Sequence, residues 1–256
     1  MSDPHADRDS AARHVQQHLD RLQAAGVEFL PAPDRALPPP VAESRSLYEE
    51  VAVAPASPAV MDRRVALAVL AEEVKQCTAC GELASTRTQT VFGVGPLDAE
   101  LCFIGEAPGA DEDRQGEPFV GAAGQLLNRI IAACGMTREE VFICNILRCR
   151  PPGNRQPKPD EAANCRPFLD RTLELVKPKF ICCLGASAAK YLLGVSTSIG
   201  KMRGKFYDYN GMTVICTYHP SFLLRSETPE PKRQVWEDMQ LLLKKMGKPI
   251  PQHGKK

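Results

Sequence analysis

The sequence predicts an α/β fold: a three-layer sandwich with a mostly parallel central four-stranded sheet flanked by helices. Three observations lead there. Short apolar runs rich in β-branched residues alternate along the chain with segments of helical periodicity. The runs lack the apolar–polar alternation of a half-solvated strand, so both of their faces should be buried, as in a parallel sheet covered on both sides. The pattern extends from near Val65 to Gly247, enough chain for one well-filled core.

Val65–Gln76 is helix-like, with Leu67, Leu70, Ala71 and Val74 on one side. Leu101–Ile104 is the first expected strand. Leu126, Leu127, Ile130, Ile131 and Cys134 then form a helical stripe. Thr137–Glu140 has the pattern of a capping box opening a short helix. Val141–Cys144 is the second strand, Asp160–Val176 a helix, and Phe180–Leu184 the third strand. Ala186–Leu193 is helical, Thr213–Cys216 is the fourth strand, and Lys232–Met246 is the closing helix. In such sheets ligands bind beyond the C-terminal ends of the strands. The segments after Ile104, Cys144, Leu184 and Thr217 are therefore where chemistry is expected.

Composition divides the chain into three parts. Residues 1–64 hold eight of the 22 prolines, and Val53–Val60 is almost entirely Ala, Val, Pro and Ser. This reads as a Pro/Ala-rich, largely disordered extension. Within it, Val15, Leu19 and Leu22 allow a short amphipathic helix over Asp9–Ala25. A solubilising tail is the plain reading, and an arm for an unknown protein partner is the alternative. Residues 65–248 form the expected domain, and 249–256 a basic tail. The N-terminus lacks the apolar stretch of a secretory leader, and no run is long and apolar enough to span a membrane, so a cytoplasmic protein is expected; a monomer is expected separately. The formal net charge is +1, which excludes a polycation. Residues 201–256, however, carry eleven basic against five acidic side chains. Lys201, Arg203 and Arg225 are candidates for a phosphate-facing surface, with a solvated face as the bland alternative.

Ten cysteines without a secretion signal argue against a disulfide framework. Cys77-Thr-Ala-Cys80 can bring two thiolates to one site. Cys149 precedes a Pro-rich loop, and Cys165 lies early in the helix that follows. Four such thiolates could close a zinc site or a [4Fe–4S] cluster, and spacing does not choose between them. Four unrelated reduced cysteines remain the simpler possibility. Gly105-Glu-Ala-Pro-Gly109 follows a strand, and Glu106 and Glu112 put carboxylates at its rim. Phe119 sits among glycines rather than in an apolar stripe, which suits stacking on a flat ring as well as anchoring a loop. Asn145 ends a strand with one acceptor and two donors, suited to reading a base edge or to making a turn. His219 is held extended by Pro220.

Together these motifs resemble the uracil-DNA glycosylase superfamily, and most closely its family 4, the iron–sulfur uracil-DNA glycosylases. The resemblance runs from about Val74 to Leu243. It rests on Cys77-x-x-Cys80, Val91-Phe-Gly-Val-Gly95, Gly105-Glu-Ala-Pro-Gly109, Glu117-Pro-Phe-Val-Gly121, Asn145-Ile-x-x-Cys149, Leu184-Gly-Ala186 and His219-Pro-Ser221.

The resemblance implies a structural [4Fe–4S] cluster on Cys77, Cys80, Cys149 and Cys165, and uracil-containing DNA as substrate. It implies that a flipped uracil is hydrolysed from its deoxyribose. Phe119 would stack on the base, Asn145 would read its edge, and Gly105, Ala107 and Pro108 would line its pocket. His219 would stabilise the departing uracil anion. The family carries Gly or Ala where this chain has Ala107, whereas other branches carry an Asp or Asn that orients water. Glu112, then Glu106, are the candidates for that task here. By analogy, Ser221 and Arg225 would grip phosphate, and Leu223 or Leu224 would wedge into the emptied stack. One relative traps DNA covalently through a His in a loop insertion, and Asp113–Gly116 has neither insertion nor His. An iron–sulfur DNA-binding or redox module without hydrolysis, and a zinc-stapled member of the same enzyme class, are the alternatives.

Overall fold

The computed structural model describes residues 58–251. In chain order the helices and strands are α1 (Pro58–Gln76), α2 (Gly81–Thr86), β1 (Leu101–Gly105), α3 (Ala110–Gln115), α4 (Ala122–Ala133), β2 (Phe142–Asn145), α5 (Pro159–Val176), β3 (Phe180–Leu184), α6 (Ala186–Leu193), α7 (Ile199–Met202), β4 (Phe206–Tyr209), β5 (Met212–Thr217), α8 (Pro220–Arg225) and α9 (Glu230–Lys245). Helix α1 begins earlier than the expected Val65. The apolar stripe starts late in it, and Arg63 secures the preceding turn by donating to the Leu175 carbonyl at 3.0 Å and pairing with Asp98 at 2.8 Å. The expected extension over residues 1–57, with its Asp9–Ala25 helix, lies outside the described residues, as do residues 252–256. Ile250 packs on the core, so the chain is still part of the domain beyond 248, where the basic tail was expected to begin.

Among the described residues the sheet has five strands in the order β2-β1-β3-β5-β4. The four expected strands pair in parallel, β1 with β2 and β3, and β3 with β5. The fifth, β4, is an antiparallel edge strand on β5. Its residues alternate between exposed and half-buried, so it carries no apolar run of the kind that marks the central strands. A legible signal for it was present: Asn210 and Gly211, at φ 51° and 80°, make the two-residue turn that closes a β-hairpin.

Strand alternation sends side chains to two cores. On one face Cys102, Ile104, Phe142, Cys144, Ile181, Cys183 and Cys216 meet Leu169 and Leu173 of α5 and Leu192 of α6. On the other, Phe103, Ile143, Cys182 and Ile215 meet Leu127 and Ile131 of α4 and Val235, Met239 and Leu242 of α9. The result is the three-layer sandwich, with both faces of the sheet buried. The Thr137–Glu140 box forms as expected, Glu140 accepting from the Thr137 amide at 2.6 Å.

The end of β5 is tied to α9 through a buried carboxylate. Asp238 accepts from the Thr217 hydroxyl at 2.6 Å and pairs with Arg203 at 3.1 Å, while burial pushes its pKa up. Among the described residues no helix is long and apolar enough to cross a membrane.

Candidate active site and thiol cluster

Parallel pairing puts the C-terminal ends of β1, β2, β3 and β5 along one edge of the sheet. A cavity of about 530 Å³ opens there. Glu106, Ala107 and Pro108 enter it after β1, Asn145 at the end of β2, and His219, Ser221 and Arg225 after β5. Glu112 comes from α3 and Phe119 from the segment joining α3 to α4.

Phe119, Asn145 and Gly105 interlock. A Cβ at Gly105 would lie 2.4 Å from Asn145 Oδ1 and 2.5 Å from Phe119 Cζ. Gly105 is thus a spacer beneath the site rather than part of its lining. Phe119 adopts a left-handed φ of 54° and is almost fully buried, its ring centroid 5.6 Å from that of His219. Gly124 permits this turn, because a Cβ there would fall 1.8 Å from the Phe119 carbonyl oxygen. Asn145 is 1 % exposed, and its Oδ1 has no hydrogen-bond partner. A buried acceptor left unpaired is costly, by about 1–3 kcal/mol, unless a ligand supplies a donor.

His219 is held as a neutral imidazole. Its Nδ1 accepts from the Ser221 amide at 3.1 Å, with Ser221 Oγ at 2.8 Å. Nε2 therefore carries the proton. Burial, followed by the nearby Arg225 cation, lowers its pKa to about 4, against a smaller opposing pull from Glu112.

The two candidate carboxylates differ. Glu112 Oε2 accepts from the Gly109 amide at 3.0 Å, and its Oε1 accepts from Val120 at 3.0 Å and Gly121 at 2.9 Å. It stitches the loop after β1 to the loop carrying Phe119. The Glu106 carboxylate, on the same wall, makes no hydrogen bond or ion pair among the described residues, while its carbonyl accepts from the Leu147 amide at 3.1 Å.

Besides Gly105, two expected site residues, Leu223 and Arg203, are not where the sequence put them. Leu223 is 2 % exposed and packs in the core beneath α8, so it cannot wedge into DNA. Leu224, one residue and about 100° further round the helix, is 47 % exposed. Arg203 is committed to Asp238, to the Gln234 carbonyl at 2.5 Å and to the face of the Tyr218 ring, rather than to phosphate. Lys201 is exposed but does not line the cavity. The sequence reading also missed a wall: Pro151, Asn154, Arg155 and Gln156 complete the cavity opposite β1. The signal was the length of the loop that follows Asn145 at the functional edge.

That loop leads back to the cysteines. Cys77 and Cys80 lie between α1 and α2, Cys149 follows β2, and Cys165 is in α5. Their thiols are close enough for charge on one to act on another: Cys77 and Cys80 on Cys149, and Cys149 and Cys80 on Cys165. Burial raises the Cys80 and Cys149 pKa values and pushes Cys165 up to about 11. Arg87 Nη1 donates to Cys149 Sγ at 3.0 Å while its Nη2 binds the Cys77 carbonyl at 2.8 Å. Asn164 donates to Cys80 Sγ at 3.6 Å. A set of thiols with N–H groups aimed at sulfur suits thiolates bound to a soft centre. Among the described residues no group of three or more His, Cys, Asp or Glu side chains forms a site for a single metal ion. The other six cysteines are buried.

Residues 92–240 match the family model of the uracil DNA glycosylase superfamily. The chain is 45 % identical over 180 residues to a type-4 uracil-DNA glycosylase of Thermotoga maritima, a match spanning 70 % of this chain and 93 % of the relative. It is 41 % identical over 186 residues to a type-4 uracil-DNA glycosylase of Archaeoglobus fulgidus, covering 70 % and 90 %. A type-4 uracil-DNA glycosylase of Saccharolobus solfataricus is 44 % identical over 181 residues, covering 67 % and 82 %.

Gly105→Ala should force Asn145 and Phe119 apart and lower stability by about 1–3 kcal/mol. An unchanged urea midpoint would show that the interlock is loose. For His219, the lowered basicity means that the unfolded chain binds the proton more readily. Its contribution to stability is therefore present above about pH 6.5 and is lost as pH falls toward about 4. The melting temperature should drop over that interval less steeply in His219→Gln than in the wild type, and parallel curves would rule the effect out.

Proposed function

The chain belongs to the uracil-DNA glycosylase superfamily, in its type-4 branch, and on that premise we propose that it excises uracil from DNA by hydrolysing the N-glycosidic bond, leaving an abasic site. The observation that carries the reading is the unpaired Asn145 Oδ1 beside the Phe119 ring. Uracil presents an N–H donor and a carbonyl acceptor on its Watson–Crick edge. Asn145 Oδ1 accepts the first and its amide donates to the second. Cytosine presents the opposite polarity and would leave both groups unpaired, a strong basis for rejection. The base must leave the stack to reach this depth, at a cost of a few kcal/mol. Phe119 recovers part of that by stacking on it.

Bond cleavage moves charge onto the uracil oxygen. His219, neutral with its proton on Nε2, donates a hydrogen bond there without having to lose a net charge, an oxyanion-hole role. The sugar becomes oxocarbenium-like, and a water must reach it. Glu106, a carboxylate on the cavity wall free of protein partners, is the better candidate for orienting that water. Glu112, engaged by three amides, serves to hold the pocket's shape. Ser221 and Arg225 lie at the rim where phosphate would pass, and exposed Leu224 is the remaining candidate wedge.

Cys77, Cys80, Cys149 and Cys165 would hold a [4Fe–4S] cluster, in keeping with an all-thiol donor set and with the resemblance to family 4. When bound, the cluster supplies cross-linking rather than chemistry at the base. Its ligands join α1, the start of α2, the loop after β2 and α5, and so fix the wall formed by residues 151–156.

Purified protein should release uracil from U:G, U:A and single-stranded oligonucleotides. Asn145→Ala and His219→Ala should each lower the single-turnover rate by about 10²–10³-fold while leaving DNA affinity nearly unchanged. Full activity in both would mean the pocket is misassigned. Glu106→Gln should cost more in rate than in melting temperature and Glu112→Gln the reverse; the opposite split would exchange their roles. Cys165→Ala should lose iron, sulfide and visible absorbance together with solubility, and a colourless variant of full activity and stability would refute the clamp.

A further inference from the structure

Helix α3 lacks the means to hold itself in place. It is six residues long, too short to be stable alone, and Ala110 is its one apolar residue. None of its residues belongs to either core. Polar contacts therefore set where it lies, and two consecutive carboxylates make them to different partners. Glu112 accepts from the Gly109, Val120 and Gly121 amides on the pocket side. Asp113, which is 3 % exposed, reaches instead to the segment that precedes β1. Both of its oxygens accept from one amide, that of Thr88, at 3.0 and 3.1 Å. Among the described residues no cation pairs with it. A buried carboxylate with a single amide donor is poorly compensated for its desolvation, so stability alone does not account for it.

The segment that receives Asp113, residues 87–94, is itself fixed at both ends. Arg87 Nη1 donates to Cys149 Sγ at 3.0 Å, and its Nη2 to the Cys77 and Lys75 carbonyls at 2.8 and 3.2 Å. Further along, the Val91 amide donates to the Arg148 carbonyl at 2.8 Å, and Val94 pairs with Ile143 of β2. Between these anchors Gln89 makes a second contact to α3, donating through Nε2 to the Arg114 carbonyl at 2.8 Å. Gln89 also lies against Gly116, where a Cβ would fall 2.5 Å from Gln89 Oε1. Gly116 closes α3 in the left-handed conformation, at φ 77°, and Phe119 lies a short step further along the chain. Arg138 tethers the intervening Glu117 carboxylate at 3.1 Å and the Pro118 carbonyl at 2.5 Å. It holds the loop after the helix and leaves the helix itself to the strap of residues 87–94.

We infer that Asp113 is a positioning residue for the stacking ring: by docking α3 on the anchored strap, it fixes Glu112 and with it the backbone that carries Phe119. The inference rests on the reading of Phe119 as the surface on which a flipped uracil stacks. It adds to that site a residue that does not line the cavity. The strap meets Cys149 at one end and α3 at the next contact, so it joins the thiol site to the pocket by a route that does not pass through residues 151–156.

The test uses the full-length protein. It reads hydrogen exchange at the Val120 and Gly121 amides, which Glu112 holds, beside single-turnover uracil release and affinity for a uracil-free oligonucleotide. Asp113→Ala removes both acceptors, and Asp113→Asn keeps one. Asp113→Ala should exchange several-fold faster at those two amides and release uracil about tenfold more slowly, with affinity for the uracil-free oligonucleotide unchanged. Asp113→Asn should restore most of both losses. A merely structural role would lower the melting temperature and leave exchange and rate, measured well below it, at wild-type values; that result would overturn the inference. Equal losses in the two variants would place the effect outside the Thr88 contact and overturn it as well. If Asp113→Ala does not fold, Gln89→Ala, at an exposed position of the same strap, decides. Faster exchange at Val120 and Gly121 then supports the docking, and wild-type exchange overturns it. A wild type that releases no uracil would defeat the functional reading instead, and exchange alone would decide the link from Asp113 to the loop.

Discussion

Parallel pairing of β2, β1, β3 and β5 delivers four chain segments, far apart in sequence, to one edge of the sheet. Everything at the site depends on that shared edge. Within it a central constraint is the absence of a side chain at Gly105, over which Asn145 Oδ1 and the tip of the Phe119 ring close to distances that no Cβ would tolerate. The amide and the ring are positioned by backbone that cannot move without disturbing β1. A loop aromatic with a left-handed backbone and a strand-end amide thus acquire the rigidity usually found inside a core.

The polar groups of this molecule fall into two populations, and the division separates structure from function. Arg203 and Glu112 are engaged by protein partners, as is Asp238 through one of its carboxylate oxygens, and they tie elements together. Asn145 Oδ1 and the Glu106 carboxylate face the cavity without partners, and His219 has one nitrogen anchored and the other left to donate. Buried polar groups are mostly paired in folded proteins, so an unpaired acceptor on a cavity wall is a place for a ligand to bind. Burial adds to the effect at His219, because a dehydrated imidazole that stays neutral is a stable hydrogen-bond donor across the physiological range.

The thiol site and the cavity share a wall. Arg155 lines the cavity and at the same time pairs with Glu161 at 2.5 Å and Glu82 at 2.9 Å, while Lys158 also reaches Glu82 at 2.7 Å. Glu161 is buried, but the Glu82 pairs are exposed and worth little singly, and a loop this long needs a stronger clamp. Four cysteines, two from the α1–α2 connection, one from the loop and one from α5, would provide one if they hold the proposed cluster. The structural role assigned to the centre therefore reaches the pocket through a physical connection rather than through proximity alone.

Sequence alone determined a good deal. Apolar runs without alternation marked the four central strands, because burial on both faces leaves a compositional trace. Positions at or just after strand ends marked Asn145 and His219, a glycine-rich setting marked Phe119, and a Cys-x-x-Cys pair with two later cysteines marked the thiol site. What it missed had weaker or ambiguous traces. The edge strand β4 is half solvated and announced itself only by an Asn-Gly turn. Leu223 and Leu224 are indistinguishable in composition, and only the rotation of α8 sends one into the core and the other to solvent. Glu106 and Glu112 are equally acidic in sequence, but three amides that converge from two loops occupy one and leave the other open. Arg203 has the same charge as Arg225, yet a buried carboxylate from α9 claims it. Residue type and local periodicity are properties of the chain; which polar group ends up satisfied depends on what distant segments bring against it, and only tertiary packing sets that.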